Sequence, residues 1–383
     1  MSGLPPLALY VHLPWCVRKC PYCDFNSHPL KSARPDGGYI DALIRDLDLE
    51  LPLLAGRGIE TVFFGGGTPS LFPPEDFARL LTALRQRIAV APGAEVTLEA
   101  NPGTIERGRF AGYRDAGINR ISLGAQTFSA RALGRLGRIH SPGDTLRAAE
   151  ELRSAHIGNF NIDLMYALPD QTLEEARADI AAACAQGPAH ISYYQLTLEP
   201  GTAFHARPPA LPDEDAAWAI QTECQSRLNH AGYVQYEVSA YSRPGARCRH
   251  NLNYWQFGDY VGLGAGAHGK ISLEPPDRIL RTAKPRQPRD YQREIGAAAA
   301  PIGERRLTPR SELAFEFMLN ALRLNDGFTD EEFRQRTGLA IAAVQAPIAR
   351  AERRGLLEPT AGGWCATALG RRFLNDLQAS FLL

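Results

Sequence analysis

Tyr10-Val11-His12-Leu13-Pro14-Trp15-Cys16-Val17-Arg18-Lys19-Cys20-Pro21-Tyr22-Cys23 places three thiols within eight residues. They directly follow an apolar run, 7–12, that reads as a strand. A [4Fe–4S] cluster normally takes four cysteines, one for each iron. Three thiolates leave one iron free to chelate a substrate or cofactor. A structural Cys₃His zinc site using His28, five residues after Cys23, satisfies the same spacing. The cluster by itself leaves both readings open. The other four cysteines (184, 224, 248 and 365) are scattered, for an odd total of 7. That does not make a disulfide framework, and in a reducing compartment so tight a group more often binds metal.

Outward from this loop, apolar strand-like runs at 61–64, 95–100, 120–123, 159–165 and 191–198 alternate with amphipathic stretches at 39–54, 74–88, 105–116 and 173–185. In the first stretch Leu43, Leu47, Leu51 and Leu54 recur at helical spacing. Strand–helix alternation implies a parallel sheet with right-handed crossovers. Six units predict a partial or open (β/α)₆ barrel, two short of a closed (β/α)₈ barrel. This barrel is expected over 1–245. Residues 246–303 read as an aromatic, Gly-rich segment followed by a Pro/Arg-rich linker from about 275. Residues 304–383 read as a helical, winged-helix-like domain. Phe328-Thr329-Asp330-Glu331-Glu332 looks like an N-capped helix start, and 355–364 like a two-stranded wing.

Composition narrows the function. Hydrophobic residues are 44% and charged residues 22% of 383, and Lys+Arg equals Asp+Glu at 42 each. A zero formal charge gives no electrostatic case for nucleic acid or an anionic membrane as the main partner. The expected DNA-recognition helix of the winged module, 340–353, is basic only at its end. No run approaches the ~20 apolar residues of a transmembrane helix. Met1-Ser2-Gly3-Leu4-Pro5-Pro6 lacks the pattern of a signal peptide, so a cytoplasmic protein is expected.

Polar residues sit at successive strand ends. Gly65-Gly66-Gly67-Thr68-Pro69 follows the second strand, where glycines let a backbone approach a ligand and expose its N–H and C=O groups. Glu99 ends the third strand, and Gln126 and Asp163 lie at or near the ends of the next two. Ligands of α/β folds bind at the carboxyl ends of strands, so these side chains should converge on the cysteine loop.

CxxxCxxC followed by GGGTP resembles the radical S-adenosylmethionine (SAM) superfamily. YVHLPWC, FFGGGTPS, LEANPGT, RISLGAQTF, LGRLGRIH and NIDLMYALPDQT are similar to one branch of it, the oxygen-independent coproporphyrinogen III dehydrogenases and the HemW-type heme chaperones. The resemblance covers most of the chain. It implies a [4Fe–4S] cluster on Cys16, Cys20 and Cys23 and SAM bound beside it. Tyr10 and Tyr22 would flank the cofactor, with Tyr22 against the adenine. Gly66, Gly67 and Thr68 would meet its methionine end. Glu99, Gln126, Arg138 and Asp163 would bind the rest, the carboxylates accepting from an ammonium or ribose and Arg138 pairing with a carboxylate.

Within that branch an enzyme that decarboxylates two propionates competes with a protein that carries heme to client hemoproteins. The dehydrogenases resemble CxxxCxxCxC, whereas Phe25 stands at the last position here, and only nine residues precede Tyr10. Both departures favour the chaperone, which CPYCDFNSH resembles. His250-Asn251-Leu252-Asn253-Tyr254-Trp255 matches an HNxxYW motif linked in that family to heme. His250 is the expected heme ligand, with Cys248 as the alternative, while His268 reads as a structural loop residue. The expected partners are heme and client hemoproteins. Peripheral membrane association and a homodimer stay open, as does productive SAM cleavage.

Overall fold

The sheet is built from strands whose alternate residues face two different environments. The computed structural model describes residues 4–31, 37–54, 56–103, 108–274 and 278–382. Six parallel strands follow in sequence: β1 (Leu7–Leu13), β2 (Ile59–Gly66), β3 (Val90–Ala100), β4 (Arg120–Gln126), β5 (Phe160–Tyr166) and β6 (His190–Gln195). The helices α1 (Gly38–Glu50), α2 (Pro74–Arg87), α3 (Phe110–Ala116), α4 (Ala130–Arg135), α5 (Pro142–Ser154) and α6 (Leu173–Ala185) lie between them. One residue set, including Leu9, Val11, Val62, Phe64, Val96, Leu98, Ile121, Leu123, Ile162 and Leu164, joins Leu43, Leu47, Leu80 and Leu84 of the helices in the main core. The other set is polar and bonds across strands: Asn161 Nδ2 donates to Ser122 Oγ at 2.7 Å, and Asn161 Oδ1 accepts from His190 Nδ1 at 2.7 Å. Period-two alternation thus separates an apolar outer wall from a polar lumen.

The expected six-unit partial barrel is present, with strand ends shifted by one to five residues. Of the expected helix 105–116, residues 105–107 lie among 104–107, outside the described residues. A seventh parallel strand was not anticipated. Asp259–Leu263 pairs with β1 on the side away from β2. It is short and runs straight into Gly264-Ala265-Gly266-Ala267-His268, so its sequence reads as loop.

With β7 (Val234–Gln235), β8 (Ala240–Ser242), β9 (Asp259–Leu263), β10 (His268–Leu273), β11 (Arg278–Ala283) and β12 (Glu304–Leu307), the order is β12-β11-β10-β9-β1-β2-β3-β4-β5-β6-β8-β7. β6 and β9 are not neighbours, so the barrel stays open.

The linker expectation is corrected here; its residues 275–277 fall outside those described. The rest holds β11 and a helix, Pro288–Ala297, and leads into β12. Lys284 Nζ, fully buried, donates to Asp46 and Glu50 of α1 at 2.6 Å each, and Tyr291 Oη donates to Asp46 at 3.0 Å. Proline and arginine there serve strand ends and a helix start, which composition alone does not separate from a loop.

The C-terminal part has a second core in which Phe317, Phe328 and Phe333 pack edge to face. The capped helix start is present: Thr329 Oγ1 accepts from Glu332 N at 3.0 Å while the Glu332 carboxylate accepts from Thr329 N at 2.8 Å. Leu357–Thr360 and Gly363–Ala366 form the expected hairpin, joined by Phe328–Thr329 as a third strand. This core includes Phe257 and Ile279 from the segment before 304, so apolar packing is continuous across the expected boundary.

Candidate functional site

Beyond β1 the chain turns at Pro14 into Trp15–Cys16, which pairs in parallel with His28–Pro29. This short ladder closes the loop carrying Cys20 and Cys23. All three thiols are free, Cys16 buried and the others half-buried, and all three line one cavity of 470 Å³ at the carboxyl ends of the strands. Burial pushes the Cys16 and Cys23 thiols up from their ordinary pKa. His28 is not among the residues lining this cavity, so the zinc alternative lacks its fourth ligand there.

Tyr22, Gly66, Gly67, Thr68, Glu99, Gln126, Arg138 and Asp163 line the same cavity. Tyr10 does not; it faces an adjoining cavity. Its hydroxyl donates to His12 Nδ1 at 2.9 Å, since His12 Nε2 must carry the proton that it gives to Asn26 O at 2.8 Å.

The glycine run is confined by its neighbours. A Cβ on Gly67 would lie 2.5 Å from Trp15 O, and Gly66 has φ +121° with His12 in the way of any side chain. The N–H groups expected to be exposed are used inside the chain: Gly66 N donates to Glu99 Oε2 at 3.1 Å, Gly67 N to Leu13 O at 2.9 Å and Thr68 N to Trp15 O at 2.7 Å. What the segment can offer a ligand is carbonyl oxygen, which suits an ammonium.

Arg138 is held to the cysteine loop by residues the sequence reading passed over. Its guanidinium donates to Asn101 Oδ1, to Gly124 O at 2.7 Å and to Cys20 Sγ at 3.9 Å. Asn101 Nδ2 donates in turn to Thr68 Oγ1 at 2.8 Å. Gln126 adopts φ +68°, a strained conformation for a non-glycine, and its Oε1 accepts from Tyr194 Oη at 2.6 Å. Asn101 sits two residues after Glu99, whereas Tyr194 lies on β6, where no site residue was read. Period-two counting from Glu99 would have found Asn101.

Glu99 and Asp163 face each other's charge across the lumen. Burial, reinforced by the Asp163 charge, pushes the Glu99 carboxyl up to about 8. Burial also raises Asp163, although Ser122 Oγ at 3.0 Å and Asn161 Nδ2 at 2.7 Å donate to it. Two carboxyl groups raised this way have a deficit of positive charge between them, which a cationic ligand would relieve. Three thiols, an arginine beside one of them and this acidic pair make a site for a thiolate-held metal centre and a ligand carrying both cation and carboxylate.

The heme-motif segment is placed elsewhere, and there the fold encloses both His250 and Cys248. Helix Arg249–Trp255 closes the opposite, amino-terminal end of the barrel. Glu95, near the start of the paired part of β3, accepts from the backbone N–H of Arg249 at 3.2 Å and of His250 at 3.1 Å. It thereby supplies the cap that Cys248, the residue before the helix, does not. His250 is 1% exposed, stacked on Phe63 at 5.0 Å, with Nδ1 bonded to Thr61 Oγ1 at 2.8 Å and Nε2 to Tyr254 Oη at 3.1 Å. Both ring nitrogens are engaged, and burial pushes its pKa down to about 3. Cys248 is fully buried beside Glu95 and its thiol is pushed up to about 12. An aromatic-rich HNxxYW stretch is equally the composition of a buried plug, which sequence does not distinguish from a ligand loop.

Known proteins resemble this chain in sequence and fold. The model of the radical SAM superfamily matches residues 10–183, and that of the HemN C-terminal domain matches 308–373. The heme chaperone HemW of Escherichia coli is 47% identical over 382 residues, covering 100% of both chains. The heme chaperone HemW of Haemophilus influenzae is 46% identical, covering 100% of this chain and 99% of its own. The solved coproporphyrinogen III oxidase HemN of Escherichia coli, described as a radical SAM enzyme, superposes with a TM-score of 0.83 at 23% identity, over 99% of this chain and 91% of its own. That likeness bears on the fold alone. Among the described residues no helix is long and apolar enough to cross a membrane.

Proposed function

The chain belongs to the HemW family of the radical SAM superfamily, and from that premise we propose that it is a heme chaperone that carries heme to client hemoproteins. It would hold a [4Fe–4S] cluster on Cys16, Cys20 and Cys23 and SAM in the cavity they line. The observation that supports this best is the convergence on that one cavity of three free thiols, Arg138 and the Glu99–Asp163 pair, in a chain alike over its full length to heme chaperones.

The residues present fit these groups. Three thiols without a fourth in the cavity leave an iron position for a ligand. The cluster, when bound, supplies one-electron chemistry at that position. Tyr22 lies along the cavity wall for an adenine, and Thr68 and the glycine carbonyls can accept from an ammonium. Arg138, tied to Asn101 and Gly124, can pair with a carboxylate or steady the Cys20 sulfur. Glu99 and Asp163 can accept from ribose hydroxyls or the ammonium. Phe25, 58% exposed where the dehydrogenases have a further cysteine, favours the chaperone over the decarboxylase.

The test is an anaerobic assay of reconstituted protein with coproporphyrinogen III, SAM and reductant, paired with heme titration of the same sample. Stoichiometric heme uptake without porphyrinogen product is expected. Protoporphyrinogen IX as product would establish the dehydrogenase instead.

A further inference from the structure

We propose that heme seats in the second cavity, against Tyr10, Tyr254 and Tyr260, with the His268 imidazole ligating its iron and Arg286 pairing with its propionates. This rests on the heme-chaperone reading and assigns it a place that the buried His250 leaves vacant.

The cavity is 550 Å³, within the range of cofactor sites. It adjoins the cysteine cavity, and Gly66 and Glu99 line both. Its wall is aromatic. Tyr254 meets Tyr260 edge to face at 4.6 Å, and Tyr10 stacks on Phe63 at 6.3 Å. Phe25 extends this wall at the rim, where 58% of its surface faces water. A large apolar ring left so exposed beside an aromatic cleft marks a surface for a flat apolar ligand.

Of the two histidines in this cavity, His12 has both ring nitrogens engaged, by Tyr10 and by Asn26. His268, the first residue of β10, is exposed, and its ring makes no hydrogen bond among the described residues. Neutral imidazole is a common axial ligand of heme iron.

The loop presenting it is tightly fixed. Gly266 has φ +78°, and a Cβ there would lie 2.3 Å from Asn26 Nδ2. That amide donates to Ala265 O and to Arg286 O, 2.9 Å each. One asparagine therefore joins the loop bearing Phe25 to both the His268 loop and Arg286. The Arg286 side chain is exposed, lines the cavity and forms no ion pair among the described residues, so it can pair with a carboxylate. Asp24 and Glu99 line both cavities and so lie on the side toward the cysteines, which directs propionates toward Arg286.

The experiment titrates hemin into the full-length, cluster-reconstituted protein and its His268→Ala and Arg286→Ala variants, reading the Soret band and the affinity. His268→Ala should shift the Soret band and weaken uptake about tenfold or more, with added imidazole restoring the wild-type spectrum. Arg286→Ala should weaken uptake and leave the spectrum unchanged. Both sites are exposed, so the melting temperature and iron–sulfur content should stay as in wild type. An unaltered Soret band and affinity in His268→Ala would overturn this site while leaving the chaperone reading intact. Failure of the wild-type protein to take up heme would overturn both.

Discussion

Replacing His250 with alanine separates a buried structural histidine from a heme ligand. The imidazole is 1% exposed, stacked on Phe63 at 5.0 Å and edge-on to Tyr254 at 5.0 Å. Truncating a buried ring of this size costs about 2–4 kcal/mol in lost contacts and cavity. It also strips the Thr61 and Tyr254 hydroxyls of their partner, adding about 1–3 kcal/mol. The total, about 3–7 kcal/mol, divided by an unfolding entropy of about 0.8 kcal/mol/K for a chain of this length, gives a fall of about 4–9 °C in Tm if the chain melts as one unit. The assay is thermal unfolding followed by circular dichroism, without heme or cluster so that no ligand stabilises the folded state. A parallel heme titration at low temperature should find the Soret maximum where the wild type has it. His250→Gln should recover part of the loss by offering a donor and an acceptor. An unchanged Tm together with a lost or displaced Soret band would refute the reasoning and make His250 the ligand.

Four further outcomes follow from the same geometry. Glu99 has its carboxyl raised to about 8 from an ordinary 4.5, so its charged form is disfavoured in the fold and wild-type stability should fall as pH rises through that window. Glu99→Gln should therefore gain on wild type between pH 4.5 and 8, by about 2 kcal/mol after allowing for the open cavity; saturating SAM should shrink that gain, and a gain toward acid pH would contradict the account. Because the Cys16 and Cys23 thiols are raised by burial and must lose protons to bind iron, iron uptake on anaerobic reconstitution should increase from pH 7 to 9. Cys20→Ser should lose the brown absorbance, whereas stoichiometric zinc in the wild type would remove the cluster assignment. Finally, Lys284→Ala should cost about 3–5 kcal/mol by leaving the buried Asp46 without its cation and Glu50 with Arg305, read as a lowered denaturation midpoint; a midpoint equal to wild type would show that Asp46 is neutralised by protonation.

The sequence by itself determined the features that local pattern encodes. Apolar runs and period-3.6 alternation located β1 to β6 and the helices α1, α2, α3 and α6, because each strand must present an apolar face to its crossover helix whatever the rest of the chain does; α4 and α5, between β4 and β5, were passed over. The cysteine spacing, the glycine run and the polar residues at consecutive strand ends were legible for the same reason: parallel strands bring their carboxyl ends to one side, so order along the chain becomes adjacency in space. Most of the residues read from that order, from Cys16 to Asp163, line one cavity.

Tertiary structure decided what depends on partners distant in sequence. Tyr10 faces the neighbouring cavity because His12 and Asn26 hold its hydroxyl there. His250 is a core residue because Glu95, 155 positions away, caps its helix against the barrel's amino-terminal end. The stretch read as a linker is packed because Asp46 and Glu50, more than 230 residues upstream, hold Lys284. Burial and hydrogen-bond satisfaction are properties of the assembled chain, and a histidine or proline carries the same letter whether the fold leaves it in water or encloses it.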